Sequence, residues 1–350
     1  AADNKGITFE GFPAIANDNT VTQTGNITTT GDLAHGVFLD NVDGNNIHIT
    51  GDISVNGEQA YGVYNFFGVV LIQAGTRSGN SSFIINGNTL ATGTGGSGIT
   101  ISGHGFTVTQ NGNITVTGED SYALYSYGTM AGGIGSTMNV NGNVTATNNG
   151  GTGAIIAANN HLTINMVGDI NTQGKKNGVF EAAGIFFKDQ GVGFENNNNT
   201  INLTGNITTS GADAAGIYMA RSNFNAINVI GSISTTGANA PGIHLNTLSN
   251  SNTYTVTGNI ITSGTGGNAE PILLEGSDSN TFTLSGAVHS LGGDQAISID
   301  VDSDANTFNI QSGSTFLGDF ENLGTNTVIT NQGVMDGIAN TGSIATFNNA

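Results

Sequence analysis

The sequence predicts an all-β protein, a right-handed parallel β-helix of about eleven or more coils, on three observations. A segment of near 26 residues recurs along the 350-residue chain. Within each copy, apolar residues alternate with Thr, Asn, Asp and Ser, which is the period of an extended strand. The composition, with 55 Gly, 37% hydrophobic and only 9% charged residues, leaves Leu, Glu, Lys, Arg and Gln too scarce for a helical domain.

The repeat is anchored on a central glycine. Segments 200–211 (TINLTGNITTSG), 253–264 (TYTVTGNIITSG) and 107–118 (TVTQNGNITVTG) show its style. The anchors are Gly25, Gly51, Gly87, Gly112, Gly142, Gly168, Gly205, Gly231, Gly258, Gly286 and Gly313. Two residues after the anchor every copy carries Ile, Val or Thr, the β-branched types that fit a pleated strand. Four before it stand Val21, Ile47, Phe83, Val108, Met138, Ile164, Ile201, Ile227, Tyr254 and Phe282, and only Asn309 of the last copy breaks the series. Two before it the residue is apolar except at Gln23, Gln110 and Gln311. These offsets share one face of a strand, and the polar residues between them face the other way.

Six residues after the anchor stand nine Gly, one Asn and one Asp. These types tolerate positive φ best, so a turn corner is expected there. Eleven after the anchor a further apolar strand begins, as in Gly216-Ile217-Tyr218 and Gly242-Ile243-His244-Leu245. Each copy thus holds two or three short strands. One copy cannot bury its apolar edge alone, but stacked copies can, like residue over like residue, with Asn and Thr ladders on the outer faces. Eleven coils give a rod on the order of 50 Å. A propeller blade would need a longer period. Residues 1–320 form the coils, and 321–350 read as simplified C-terminal coils or a cap of the same solenoid.

Charge narrows the partners. Six Lys+Arg against 25 Asp+Glu give a net charge of −19, so no basic surface exists for nucleic acid or an anionic membrane. No apolar run is long enough to cross a bilayer as a helix. Zero Cys excludes disulfides, thiolate metal sites and Cys nucleophiles. The opening Ala1-Ala2-Asp3-Asn4 shows neither a basic nor an apolar leader region.

The runs GNITTSGADAAGIYMARSN (205–223), TGEDSYALYSYG (117–128) and the closing NQGVMDGIAN (331–340) resemble the passenger domains of bacterial autotransporters. The resemblance covers nearly the whole chain and is one of repeat style. It implies a β-helix carried to the outside of a Gram-negative cell by a C-terminal β-barrel, the only contact with a membrane. Export unfolded suits the absence of Cys. It also implies adhesion or self-association, the partner being the same chain on neighbouring cells or a host surface protein or glycan. Protease passengers carry a GDSGS-like nucleophile segment, and this chain has none.

The residues themselves offer little chemistry, and no enzyme is expected. Polygalacturonase-like enzymes combine several acidic and basic motifs, of which only Gly103-His104-Gly105 occurs here. The six histidines lack metal-ligand spacing and read as outward polar residues. Asp300, Asp302 and Asp304 alternate with Ile299 and Val301 and so should face outward, with Glu275 and Asp278 on the neighbouring coil. Stacked carboxylates repel, and calcium would relieve this; a solvated acidic face is the other reading. No other cofactor is indicated. Two insertions, within 65–80 and 175–199, gather Phe66, Phe67, Arg77, Lys175, Lys176, Phe186, Phe187 and Lys188. Insertions in solenoids map to loops, often on a binding face, although these aromatics would equally serve by folding back over the rod. A polysaccharide-binding or polysaccharide-cleaving β-helix, and a passive structural stalk, are the competing functions.

Overall fold

The computed structural model describes residues 6–10, 16–40, 42–66, 81–102, 105–128, 135–157, 159–177, 182–188, 191, 195–293, 295–335, 337–340 and 342–349. The chain winds as a parallel β-solenoid with three sheets running along its length. The first and second sheets have thirteen strands each and the third has eleven. The first runs from Ile7–Glu10 to Gly337–Asn340, the second from Thr20–Thr24 to Ile344–Asn349, and the third from Ile27–Thr30 to Thr315–Leu317. Each strand pairs in parallel with its equivalent one coil away, as in Thr253–Thr257 with Thr281–Ser285. Thirteen strands at roughly 4.8 Å make a rod of about 58 Å.

The alternation holds residue by residue. Strand Ile227's segment, Ala226–Ile230, is buried at Ile227 and Val229 and open at Ile230. The column four before the anchor becomes an internal stack. The rings of Tyr254 and Phe282 lie 4.7 Å apart and those of Phe282 and Phe308 4.9 Å, both nearly parallel. Such pairs add to area burial. The fully buried Tyr254 hydroxyl donates to the Met219 sulfur. Gln110, an inward exception, is fully buried. Its Nε2 donates to Gly87 O at 2.6 Å, and its Oε1 accepts from Thr89 Oγ1 at 3.4 Å.

Two details depart from the sequence reading. First, the last copy is mis-anchored at Gly313. Phe308 pairs with Phe282 and Ile310 with Leu284, so the inward columns are unbroken and Asn309 faces out. The following strand pairs Phe316 with Val288, so Thr315 is not the inward residue. Two extra residues sit in the corner between these strands.

Second, in seven of the nine copies with glycine six after the anchor, that glycine is required by closeness, not by handedness; Gly31 and Gly57, at φ 118° and 153°, keep the expected positive φ. Gly93, Gly118, Gly174, Gly211, Gly237, Gly264 and Gly292 do not adopt positive φ. A Cβ on any of them would fall under 3.0 Å from a carbonyl oxygen of the preceding coil's corner. The left-handed residue comes two positions later, at Leu33, Gln59, Asp120, Asp213 and Asn239, with φ between 50° and 56°.

Asparagine ladders run along the rod, and one of them is inside it. At the corner entering the second sheet, the Asn199, Asn225, Asn252, Asn280 and Asn306 side chains are almost wholly buried. Each Oδ1 from Asn225 onward takes the backbone N–H of the ladder residue one coil before, at 2.8–2.9 Å. A second ladder follows the anchor glycines on the exposed corner. There the direction reverses: Asn113 N donates to Asn88 Oδ1 and Asn143 N to Asn113 Oδ1, both at 2.9 Å. Corner amides, which have no sheet partner, are satisfied this way. Asn139, Asn165, Asn202 and Asn228 form the expected outer-face ladder, at 2.9–3.0 Å per step.

Candidate functional site

The outer surface of the first sheet breaks the Asn/Thr pattern. Its outward register row reads Phe38, Thr100, Tyr125, Ile155, Phe186, Tyr218, His244, Leu273, Ser298 and Glu321. A second row borders it at the corner entering the sheet, with His35, Tyr61, Ser97, Tyr122, Thr152, Ala183, Ala215, Pro241, Glu270 and Gln295. Ile155, Ala157, Ala183 and Phe186 form an apolar cluster separate from the core, flanked by Tyr122, Tyr125, Tyr127 and Tyr218.

Rings touch along this face. His35 stacks on Phe38 at 5.3 Å and on Tyr61 at 5.0 Å. Tyr122 and Tyr125 lie 5.6 Å apart. Tyr218 meets Phe186 edge-on at 5.3 Å and His244 at 4.9 Å. Burial pushes the Tyr125 hydroxyl up to about 12, helped by the neighbouring Tyr127 and Tyr61. Burial likewise raises Tyr122, with Tyr125, Asp120 and Tyr61 adding to it. These tyrosines stay neutral donors at any physiological pH.

Toward the C-terminus the same face turns acidic. His244 Nε2 lies 2.7 Å from Glu275 Oε2, and this hydrogen bond holds the Glu275 carboxyl below its usual range against the opposing effect of burial. Gln295 Nε2 donates to Glu321 Oε2 at 2.7 Å. Glu270 is 5% exposed and its Oε2 has no hydrogen-bond partner. Desolvation pushes it up to about 7; its own backbone N–H opposes this, and Glu275 and Glu321 reinforce it. The face therefore grades from half-buried aromatic rings to carboxylates along one continuous surface, which suits a partner laid lengthwise.

The residues singled out in the sequence do not gather into one site. Phe66 ends strand Tyr61–Phe66, in register with Asp40. Phe67, Arg77 and His104 lie outside the described residues. Lys175 and Lys176 are exposed at the corner entering the first sheet, whereas Lys188 is half-buried at the end of strand Ile185–Lys188. Phe186 and Phe187 belong to that strand rather than to a loop. Phe187 is fully buried in the core, and Phe186, 6% exposed, joins the outer aromatic row. The period-two register of a regular strand explains this opposition.

The five acidic residues also separate. Strand Gln295–Ile299 ends before Asp300, and a turn follows, so the alternation expected through Asp304 does not continue; Val301 is 65% exposed. Asp300 accepts from Gly276 N at 3.2 Å and Ser303 Oγ at 2.6 Å. Asp278 and Asp304 are rungs of a corner ladder. Asp304 N donates to Asp278 Oδ1 at 2.7 Å, and Thr325 N donates to Asp304 Oδ1 at 2.6 Å. Backbone amides thus meet these carboxylates. Asp302 is exposed in the turn. Among the described residues, no group of three or more His, Asp or Glu side chains is placed to hold a metal ion.

No family model matches the chain, and no curated protein matches it in sequence. Among solved structures, the cryo-electron-microscopy structure of the Vag8–C1 inhibitor complex contains a similar chain. The match covers 99% of this chain and 97% of that one, at 15% identity and a TM-score of 0.47.

Proposed function

We propose that this chain is the β-helical passenger of a bacterial autotransporter, displayed at the cell surface as an adhesive and self-association module. The repeat style of the sequence and the regular parallel solenoid support the passenger reading. The observation that carries the adhesive reading is the outer row Tyr125, Ile155, Phe186, Tyr218 and His244, where aromatic and aliphatic side chains occupy consecutive coils of an otherwise Asn/Thr-rich rod. Half-buried tyrosines give contact area at small entropic cost and keep a hydroxyl for hydrogen bonding. Contacts repeated at each coil add up, so a weak affinity per coil becomes avidity between two rods on facing cells. The partner is a second copy on a neighbouring cell, with a host surface protein or glycan as the alternative.

Cells displaying the chain are compared with cells lacking it and with cells displaying Tyr125→Ser/Tyr218→Ser. Aggregation by the first alone supports self-association through this face. Attachment to host cells without aggregation moves the partner to the host, and glycosidase treatment of those cells separates glycan from protein. Equal behaviour of all three strains defeats the adhesive reading. Reducing-sugar release from a glycan panel would replace it with the enzyme.

A further inference from the structure

The corner preceding strand Ile272–Glu275 is built unlike the corners before it. Ala183, Ala215, Pro241 and Glu270 hold equivalent positions, each carbonyl accepting a glycine N–H of the preceding coil at 3.0–3.1 Å. Three small residues are thus followed by a carboxylate. The corner is also longer than the two before it: five positions separate Gly237 from Gly242 (242 − 237), and seven separate the equivalent Gly264 from Pro271 (271 − 264). The lengthening opens a recess of about 220 Å³, lined by Gly266, Gly267, Glu270, Ser290, Gly293 and Gln295.

Two polar residues that line the recess, Glu270 and Ser290, carry atoms that lack partners. In the two preceding coils, Thr209 and Thr235 donate to the corner carbonyls of Ala214 and Ala240 at 2.7 and 2.5 Å. Their equivalents Thr262 and Ser290 are buried with no hydrogen-bond partner for the hydroxyl. Glu270 Oε2 is in the same condition, although the residue is 5% exposed. A buried polar atom without a partner is costly, and a complementary ligand recovers that cost.

We propose that this recess binds a primary ammonium group, with Glu270 Oε2 and Ser290 Oγ accepting two of its N–H bonds. The choice follows from the donor set. Calcium takes six to eight oxygens, and no group of three or more His, Asp or Glu side chains is placed to hold it among the described residues. A guanidinium prefers both oxygens of a carboxylate in a planar fork, whereas the Glu270 carboxyl also meets its own backbone N–H. A compact ammonium matches one unpartnered carboxylate oxygen and one unpartnered hydroxyl from residues that line the same recess, and Glu275 and Glu321 add attraction for a cation. A free alkylamine and a lysine side chain of a partner protein present the same group. The site lies beyond the aromatic row and does not depend on adhesion.

Calorimetry on the whole chain tests this with n-butylammonium, Nα-acetyl-lysine methylamide and the uncharged n-butanol. Saturable binding of at least one amine, and none of butanol, is expected. Glu270→Gln should weaken it at least tenfold. Gly267→Leu should do the same by filling the mouth, since a Cβ there meets nothing within 4 Å. Binding should weaken about tenfold from pH 8 to pH 6 as the Glu270 carboxylate, which titrates at about 7, is protonated. Both amines binding alike identifies the site as one for free amines; preference for the lysine derivative identifies it as one for a partner's lysine. No saturable binding of either amine at millimolar concentration, equal binding of butanol, or unchanged binding by Glu270→Gln overturns the proposal.

Discussion

Replacing Asn225 by Ala should destabilise the middle of the rod far more than any substitution on its surface. Asn225 is 1% exposed. Its Oδ1 accepts from Asn199 N at 2.8 Å, and its Nδ2 donates to Asn196 O at 3.0 Å. Truncation leaves these two buried backbone groups without that partner, at about 1–3 kcal/mol each, so the loss should be roughly 2–6 kcal/mol. Asn225→Ser should lose less, because Ser81 fills the same ladder position and accepts Asn45 N at 3.2 Å. The control is Asn228→Ala on the outer ladder, whose amide reaches only Asn202 Oδ1 on a half-exposed face and should cost no more than about 1 kcal/mol. Solenoids unfold in part, since each coil touches only its neighbours. Amide hydrogen exchange over residues 196–252 is therefore the assay, backed by denaturant melts. Asn225→Ala and Asn228→Ala giving equal protection would refute the reasoning, because the buried ladder would then contribute nothing specific.

Further predictions follow from the corners. Gly211→Ala should destabilise by roughly 1–3 kcal/mol, because its Cβ would press on the Gly174 carbonyl, whereas Gly267→Ala should be near neutral by the same thermal melt. The Glu270 carboxyl has a folded pKa raised to about 7 from 4.5, so the folded state holds the extra proton between those values. Ligand-free stability should then fall as pH rises from about 4.5 to 7. The melting-temperature difference between Glu270→Gln and the parent chain should widen over that range. A difference independent of pH would contradict the buried position of the carboxylate.

The rows of Ile, Val and Phe around each anchor glycine were legible because burial and strand period act on the same residues. The positions of Ile207, Ile233 and Ile260 follow from the repeat alone. Three things were not legible. Polar residues in a strand pattern read as outward, which hides the Asn199–Asn306 ladder: its Asn side chains are buried because they serve corner amides, a need that no hydropathy pattern displays. A repeated glycine points to φ freedom, whereas at Gly93 or Gly237 the constraint is the coil beneath, which a single repeat does not contain. Asn309 looked like a break because two extra residues before Phe316 moved the register around Gly313. The candidate face was half visible. Phe186 and Phe187 stood out, but as an insertion, since the longer spacing concealed the strand they share. Glu270 carries no signal on its own and stands out only beside the proline and alanine one and two coils before it.

The most direct test of a parallel stack is a ruler along one outward row. Thr22, Thr109, Thr283 and Asn309 occupy the same register on the second sheet, linked by successive strand pairs. The chain has no Cys, so pairs of introduced cysteines can be spin-labelled without background. Thr109 and Thr283 lie six coil steps apart and Thr22 and Asn309 ten, which at roughly 4.8 Å per step gives about 29 and 48 Å. Pulsed dipolar spectroscopy should return mean distances that rise linearly with the number of coils. Distances that do not scale with coil number would contradict the stack.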